Sequence, residues 1–346
     1  VDTLVKDATT VTEDVSGSLL ISAADGATLK GIRIGGDLIL APGVTKDVTL
    51  VDCVIQGNIR NYGTGEVRFE APQITPESTA AKPSEVYKPG ATLDRTLEYG
   101  GKTVPIYRDR PLNVFSDVDF IWTGEENENQ RRLEYLGGEF RTRYGIDVSS
   151  FQGEIDWDAV ADDNIDFAMV RVGFRGTGTG SLNTDKYYEQ NIRGAMRAGL
   201  ETGVYFFAQA VTVEEAIEEA DYVISLLDGL DINGPVAYDW EMHDSTYRVY
   251  GTSPEMATAC AVAFCERIKD AGYTPMVYGG TYVTYMKYDQ GALADYLSWY
   301  PEYKSEKSEK LCPTLVYHMD YWQFSSSRAV AGINGRVDMN IQFIRR

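Results

Sequence analysis

From Tyr144 onward, short apolar runs alternate with longer segments of helical periodicity. Residues 167–172, 203–208, 235–239 and 275–279 are rich in Val, Phe and Tyr and read as buried strands. The helices between them have legible ends. Thr212 and Glu215 form a capping-box pair, after which Ala216, Ala220, Ile224 and Leu227 make a buried stripe. Ser253-Pro254 opens another helix, whose inner side carries Met256, Cys260, Phe264, Ile268 and Ala271 before Gly272 stops it. The alternation predicts an α/β class and a parallel β/α barrel over residues 144–346, with working side chains at the C-terminal ends of its strands.

The first seventy residues follow a different rule, period-two aliphatics broken by glycine corners. Residues 27–38 align with 48–59 at an offset of 21 residues, and Gly17-Ser18-Leu19, Gly36-Asp37-Leu38 and Gly57-Asn58-Ile59 mark three coils. A repeat of this length predicts a small all-β domain at 1–70, a short β-solenoid whose coils bury their apolar faces on one another; a small β-sandwich is the alternative. Its acidic residues are scattered and it has no His, which fits a spacer, a cap or a wall-binding module. Residues 71–143 read as linker and connecting segment. They open with the Pro, Ser and Thr density of a linker, and continue with an aromatic stretch at 113–122 and a charged run from Glu125 to Arg132.

Charge narrows the partners. A formal net charge of −20 disfavours phosphate-backbone binding, so nucleic acid is excluded and a neutral glycan is an easier partner. No apolar run approaches the roughly 18 residues of a membrane span, so no membrane insertion is expected. The sequence as numbered carries no signal-like stretch. Cys53, Cys260, Cys265 and Cys312 show no CxxC spacing and read as free thiols. With two histidines, His243 and His318, neither a His-rich metal site nor a Ser-His-Asp triad is favoured. The loop at 173–180 is glycine-rich but lacks the Lys-Ser/Thr ending of a P-loop.

Asp239 and Glu241 close one of the predicted strands. Two residues apart, they point to one side while Trp240 points away, with backbones roughly 6.6 Å apart. Glycoside hydrolysis needs such a pair, one acid protonating the leaving oxygen and one carboxylate supporting the oxocarbenium-like centre. This spacing fits an inverting or a retaining pair. Its place after a buried run, between Tyr238 and Trp240, distinguishes it from an ordinary solvated D-x-E.

The ends of the domain add to this. Residues 144–157, Tyr-Gly-Ile-Asp-Val-Ser-Ser-Phe-Gln-Gly-Glu-Ile-Asp-Trp, open it, and Trp322-Gln-Phe-Ser-Ser with residues 330–340 closes it. Together with residues 167–173, Asn191, residues 203–207 and Tyr238-Asp-Trp-Glu241, they closely resemble glycoside hydrolase family 25, the lysozymes of the Chalaropsis type, over about residues 144–344. The resemblance implies an irregular β/α (TIM-like) barrel that cleaves the β-1,4 bond between N-acetylmuramic acid and N-acetylglucosamine in peptidoglycan, with retention. Glu241 matches the family's general acid/base. Asp239 matches either a nucleophile or the residue that steadies the substrate's own 2-acetamido group during attack. Asp147 and Asp338 match two further carboxylates of the cleft, and four converging carboxylates should raise at least one pKa by repulsion. Tyr205, Phe207, Tyr238, Trp240, Tyr278, Trp322 and Gln323 are the candidate substrate contacts. The match loosens at Trp299-Tyr-Pro-Glu-Tyr303 and at Ser327-Arg328. The expectations are thus a monomeric, secreted or cell-wall-associated bacterial muramidase acting on peptidoglycan strands, without metal or cofactor. The alternative is a non-catalytic glycan-binding protein of the wall.

Overall fold

The computed structural model describes residues 3–7, 10–51, 53–55, 59–70, 83–124 and 131–346, and the chain divides into two compact units, Val1–Thr79 and Ala80–Arg346. In the first unit the chain winds in coils. β1 (Thr3–Val5) and β2 (Thr10–Val11) are followed by β3 (Leu19–Ile21), β4 (Ala27–Lys30) and β5 (Arg33–Ile34). Then come β6 (Leu38–Leu40), β7 (Val48–Val51) and β8 (Val54–Ile55), and finally β9 (Ile59–Asn61) and β10 (Val67–Glu70). Corresponding strands stack in parallel, β1-β3-β6-β9 on one side, β2-β4-β7-β10 on a second and β5-β8 on a third. The register pairs Ala27 with Val48 and Leu38 with Ile59, the same residues that the repeat aligned. Of the three glycine steps, Gly57-Asn58 lies outside the described residues. Leu19, Ile21, Leu29, Ile34, Leu38, Leu40 and Val48 point into a core from which solvent is excluded. Coils approach so closely at the corners that a Cβ on Gly26, whose φ is +77°, would sit 2.1 Å from the Asp47 carbonyl oxygen.

The second unit begins before the barrel. After α1 (Pro83–Val86), β11 (Leu93–Tyr99) and β12 (Lys102–Tyr107) form a hairpin across Gly100-Gly101, both with positive φ as a two-residue turn requires. β13 (Phe120–Thr123) pairs antiparallel with β14 (Arg132–Tyr135). Sequence reading made residues 71–143 a connecting segment, yet the described part from 83 onward belongs to the barrel's unit. Its aromatics are the reason: Phe115, Phe120 and Tyr135 interlock with Phe140 and Phe343 of the barrel at ring separations of 4.4–6.4 Å. Residues 71–82 and 125–130, most of the linker stretch and the charged run, lie outside the described residues.

The barrel itself runs β15 (Phe140–Val148), α2 (Trp157–Asp162), β16 (Phe167–Arg175), β17 (Leu182–Thr184), α3 (Tyr188–Arg197), β18 (Glu201–Ala208), α4 (Val213–Leu226) and β19 (Val236–Trp240). It continues with α5 (Pro254–Asp270), β20 (Pro275–Tyr278), α6 (Thr281–Met286), β21 (Leu297–Pro301), β22 (Tyr321–Arg328) and β23 (Val337–Arg345). Eight strands close on themselves in the order β15-β16-β18-β19-β20-β21-β22-β23, with β17 appended to β16. Within the ring of eight, pairing is parallel except on either side of β23, which runs antiparallel to β22 and to β15, and the appended β17 is antiparallel to β16. The helices form where their caps permit. Thr212 accepts the Glu215 N–H at 3.2 Å, but Glu215 reaches back to the Val211 N–H rather than to Thr212 itself. Phe167, Met169, Ala237, Met276, Trp299 and Tyr321 fill the bottom of the barrel. Gly145 is part of that packing, since a Cβ there would lie 2.3 Å from the Phe167 ring.

Candidate active site

Side chains alternate inward and outward along each strand, and the inward phase at the C-terminal ends of the parallel strands is polar. Asp147 on β15, Arg171 on β16, Tyr205 and Phe207 on β18, Asp239 on β19, Tyr278 on β20, Trp299 on β21 and Gln323 on β22 line one cavity of about 230 Å³ with Glu241 and Asp338. It adjoins a second, of about 330 Å³, that shares Glu241, Tyr278 and Tyr303 and adds Met242, His243, Tyr282 and Pro301. All four expected carboxylates therefore meet. Three of the expected substrate contacts do not. Tyr238, Trp240 and Trp322 occupy the outward phase and are fully buried between barrel and surrounding elements. Tyr238 packs on Phe264 with ring centres 4.8 Å apart, the Trp240 indole donates to the Ala210 carbonyl at 3.1 Å, and the Trp322 indole donates to the Glu302 carbonyl at 3.0 Å. The alternation that points Asp239 and Gln323 inward necessarily points their neighbours out.

The carboxylates form two pairs. Asp147 and Asp338 sit directly opposite one another across β15 and β23. Asp147 Oδ2 accepts hydrogen bonds from Gln323 Nε2 and Asn340 Nδ2, each at 2.8 Å. Burial pushes Asp147 up to about 6 against those two donors, and burial together with the Asp147 charge pushes Asp338 up to about 8. Asp338 is thus the member that holds a proton at neutral pH. In the second pair, burial raises Asp239 well above the usual carboxylate range, and the charge of Glu241 and a hydrogen bond with its carboxyl add to the effect. Asp239 Oδ1 has no hydrogen-bond partner among the described residues. Glu241 is more open, with a quarter of its side chain exposed and its Oε2 2.8 Å from His243 Nε2.

Around them is a supporting network. Gln323 takes hydroxyl hydrogen bonds from Tyr278 at 3.1 Å and Tyr303 at 3.2 Å while donating to Asp147, and Trp299 donates to Asn340 at 2.8 Å. Arg171, the one Lys or Arg lining the smaller cavity among the described residues, is fixed on buried Asp185 at 2.8 and 3.0 Å. Glu241 lies one residue beyond β19, and its carbonyl is held by Gln209 Nε2 at 2.8 Å. Gln209 is itself fully buried and pinned: its N–H donates to Glu219 at 3.0 Å, and its carbonyl accepts from Arg248 at 2.9 Å. Arg175 pairs with Glu219 at 2.7 Å and Arg248 with Glu215 at 2.7 Å.

Comparison with known proteins places this geometry. The model of the family described as Glycosyl hydrolases family 25 matches residues 146–333, more than half of the chain. The chain belongs to glycosyl hydrolase family 25. Similar relatives include the autolytic lysozyme of Clostridium acetobutylicum, 26% identical over 197 residues, or 57% of this chain and 54% of that protein. Lysozyme M1 of Streptomyces globisporus is 27% identical over 201 residues, 57% of this chain and 66% of that protein. The chain thus spans about half the length of the first of these. Among solved structures, the spore cortex lytic enzyme SleM of Clostridium perfringens shares the fold, with a TM-score of 0.50 and 22% identity over 58% of this chain and 67% of that one.

The family 25 match contains Asp147, Asp239 and Glu241, while Asp338 lies beyond it. Sequence reading named none of Arg171, Gln209 and Asn340 as site residues, and it treated Trp299 and Tyr303 only as a departure from the family pattern. Arg171 had a signal, a charge on the inward phase of an otherwise apolar strand. Gln209 had none, because its role depends on a backbone carbonyl 32 residues away. Among the described residues no three His, Cys, Asp or Glu side chains are placed so that they could hold a metal ion together.

Proposed function

We propose that the family 25 domain is an N-acetylmuramidase, cleaving the β-1,4 bond between N-acetylmuramic acid and N-acetylglucosamine with retention. The observation that carries this reading is the meeting of Asp239 and Glu241 in one cleft with Asp147 and Asp338. In this reading the carboxyls of Asp239 and Glu241 act together on one anomeric centre, as the two carboxyls of a retaining pair do. Glu241, the more exposed partner, faces the adjoining cavity and delivers the proton to the leaving oxygen. Asp239, then ionised, accepts the N–H of the 2-acetamido group at its unpartnered Oδ1 while the acetamido oxygen attacks the anomeric carbon. The unpartnered Oδ1, placed to take that N–H, favours this substrate-assisted route over direct attack by Asp239. Water, deprotonated by Glu241, opens the resulting ring. Tyr205, Phe207 and Tyr278 supply faces and hydroxyls for N-acetyl sugars.

The barrel is an irregular relative of the (β/α)8 design, with two antiparallel joins and no helix between β21 and β23. The substrate sets the place of action at the bacterial wall, as a monomer. No helix among the described residues is long and apolar enough to cross a membrane. Turbidity loss of purified peptidoglycan, with mass spectrometry of the products, tests the proposal. Muramic acid at new reducing ends is expected from the parent and none from Glu241→Gln, which should still bind glycan. Unchanged cleavage by that variant removes Glu241 from the acid role.

A further inference from the structure

The residues ahead of the family match build a concavity of their own. The β11–β12 hairpin and Tyr87 lie against the start of α5 and the end of α6, and between them is a groove of about 360 Å³, larger than the carboxylate cavity. It shares no lining residue with either cavity at Glu241. Tyr285, Tyr288 and Tyr317 form its buried floor, and half-buried Tyr87 and Tyr107 form its walls. Three charged side chains line it, Lys102, Glu255 and Asp289. Asp289 is already spent on the backbone N–H groups of Gly90 at 2.9 Å, Gly291 at 3.0 Å and Ala292 at 3.2 Å. Lys102 and Glu255 are both exposed to solvent and opposite in sign. On a chain with a net charge of −20, the rest of this concave surface is uncharged and offers no cluster of cations to an anionic ligand. Amphipathic ring faces with threonine hydroxyls nearby fit a neutral, hydroxylated, ring-built polymer instead.

We propose that this groove is a second binding site for a neutral glycan strand, which keeps the chain on its polymer while the cleft cuts elsewhere. The proposal rests on peptidoglycan being the substrate. It is tested by sedimentation of Glu241→Gln protein with insoluble peptidoglycan stripped of anionic wall polymers, with and without Tyr107→Ala or Thr103→Arg. The first removes a wall. The second puts a long side chain on the exposed rim without touching the core, and so decides the matter if Tyr107→Ala does not fold. Each should raise the peptidoglycan concentration for half-saturation about tenfold, in keeping with loss of one aromatic contact. With Glu241 intact, the same substitutions should leave kcat/KM on a soluble tetrasaccharide within about twofold, as expected for a site that short substrates cannot reach while seated in the cleft. Unaltered sedimentation in both variants overturns the proposal, and so does a parallel fall in tetrasaccharide turnover. If the unsubstituted chain fails to cleave the tetrasaccharide, the muramidase reading fails, and the sedimentation still reports on the groove.

Discussion

Gln209→Leu is the substitution that best separates holding Glu241 in place from holding the fold together. Leucine is of similar size, and the amide oxygen it removes has no partner among the described residues. The loss to the fold is therefore the single 2.8 Å hydrogen bond at the Glu241 carbonyl. Leaving that buried acceptor unmade costs about 1–3 kcal/mol. For a unit of this size each kcal/mol lowers Tm by about 2–4 °C, so a folded protein with a modestly lower Tm is expected. Catalysis should suffer more. Glu241 lies past the end of β19, and without Gln209 its carboxyl is free to drift; a shift of about 1 Å costs roughly 10²-fold in rate. The assay is steady-state kinetics on a soluble muropeptide beside a thermal melt. A kcat reduced about 10²-fold at near-constant KM is the signature of a group acting in the transition state. In a Glu241→Gln background the same change should add nothing, because the group it positions is already gone. An unchanged kcat, or a raised KM with kcat intact, refutes the reasoning.

Three further outcomes follow from the described contacts. Burial and the Asp147 charge push Asp338 up to about 8 in the fold, far above the ordinary range of an aspartate, so the folded state keeps a proton that the unfolded chain releases. Its contribution to stability is complete below pH 4 and is lost as pH rises towards 8; Asp338→Asn should therefore gain Tm relative to the parent between those limits, and a pH-independent difference would contradict the assignment. Tyr238→Phe removes a buried hydroxyl that has no partner among the described residues, so Tm should hold or rise with KM unchanged, whereas a raised KM would return Tyr238 to the cleft. Gly26→Ala drives a Cβ into the Asp47 carbonyl at positive φ, and should expose the coils to protease at lower temperature while leaving muropeptide turnover intact.

What could be seen in advance follows from how local each signal is. The coils announced themselves because each repeats its neighbour at the spacing that the register then uses, as Ala27 and Val48 do. Asp239 and Glu241 were visible because a strand end and a two-residue spacing are local facts. The same alternation also excluded Trp240 from the cleft, and by extension Tyr238 and Trp322; proximity to an acid in sequence outweighed phase, and phase was the better guide. Asn340 and Gln209 matter through long-range hydrogen bonds, to Asp147 and to a backbone carbonyl, and no periodicity encodes such a pairing. The segment from 83 to 143 was opaque for a related reason, since its aromatics gain meaning only from the barrel wall that they cover.

The pairing of β15 with β23 has a consequence for timing. Asp147 belongs to the first strand of the barrel, whereas Asp338 and Asn340 belong to its last. During synthesis the ribosome releases Asp147, Asp239 and Glu241 while the strand that closes the cylinder has yet to emerge. The partner that shares a proton with Asp147 and the amide that steadies it arrive together, on the segment that seals the wall. A nascent chain would therefore carry Asp147, Asp239 and Glu241 before Asp338 and Asn340 can join them, and the carboxylate cavity takes its full lining only when the cylinder closes.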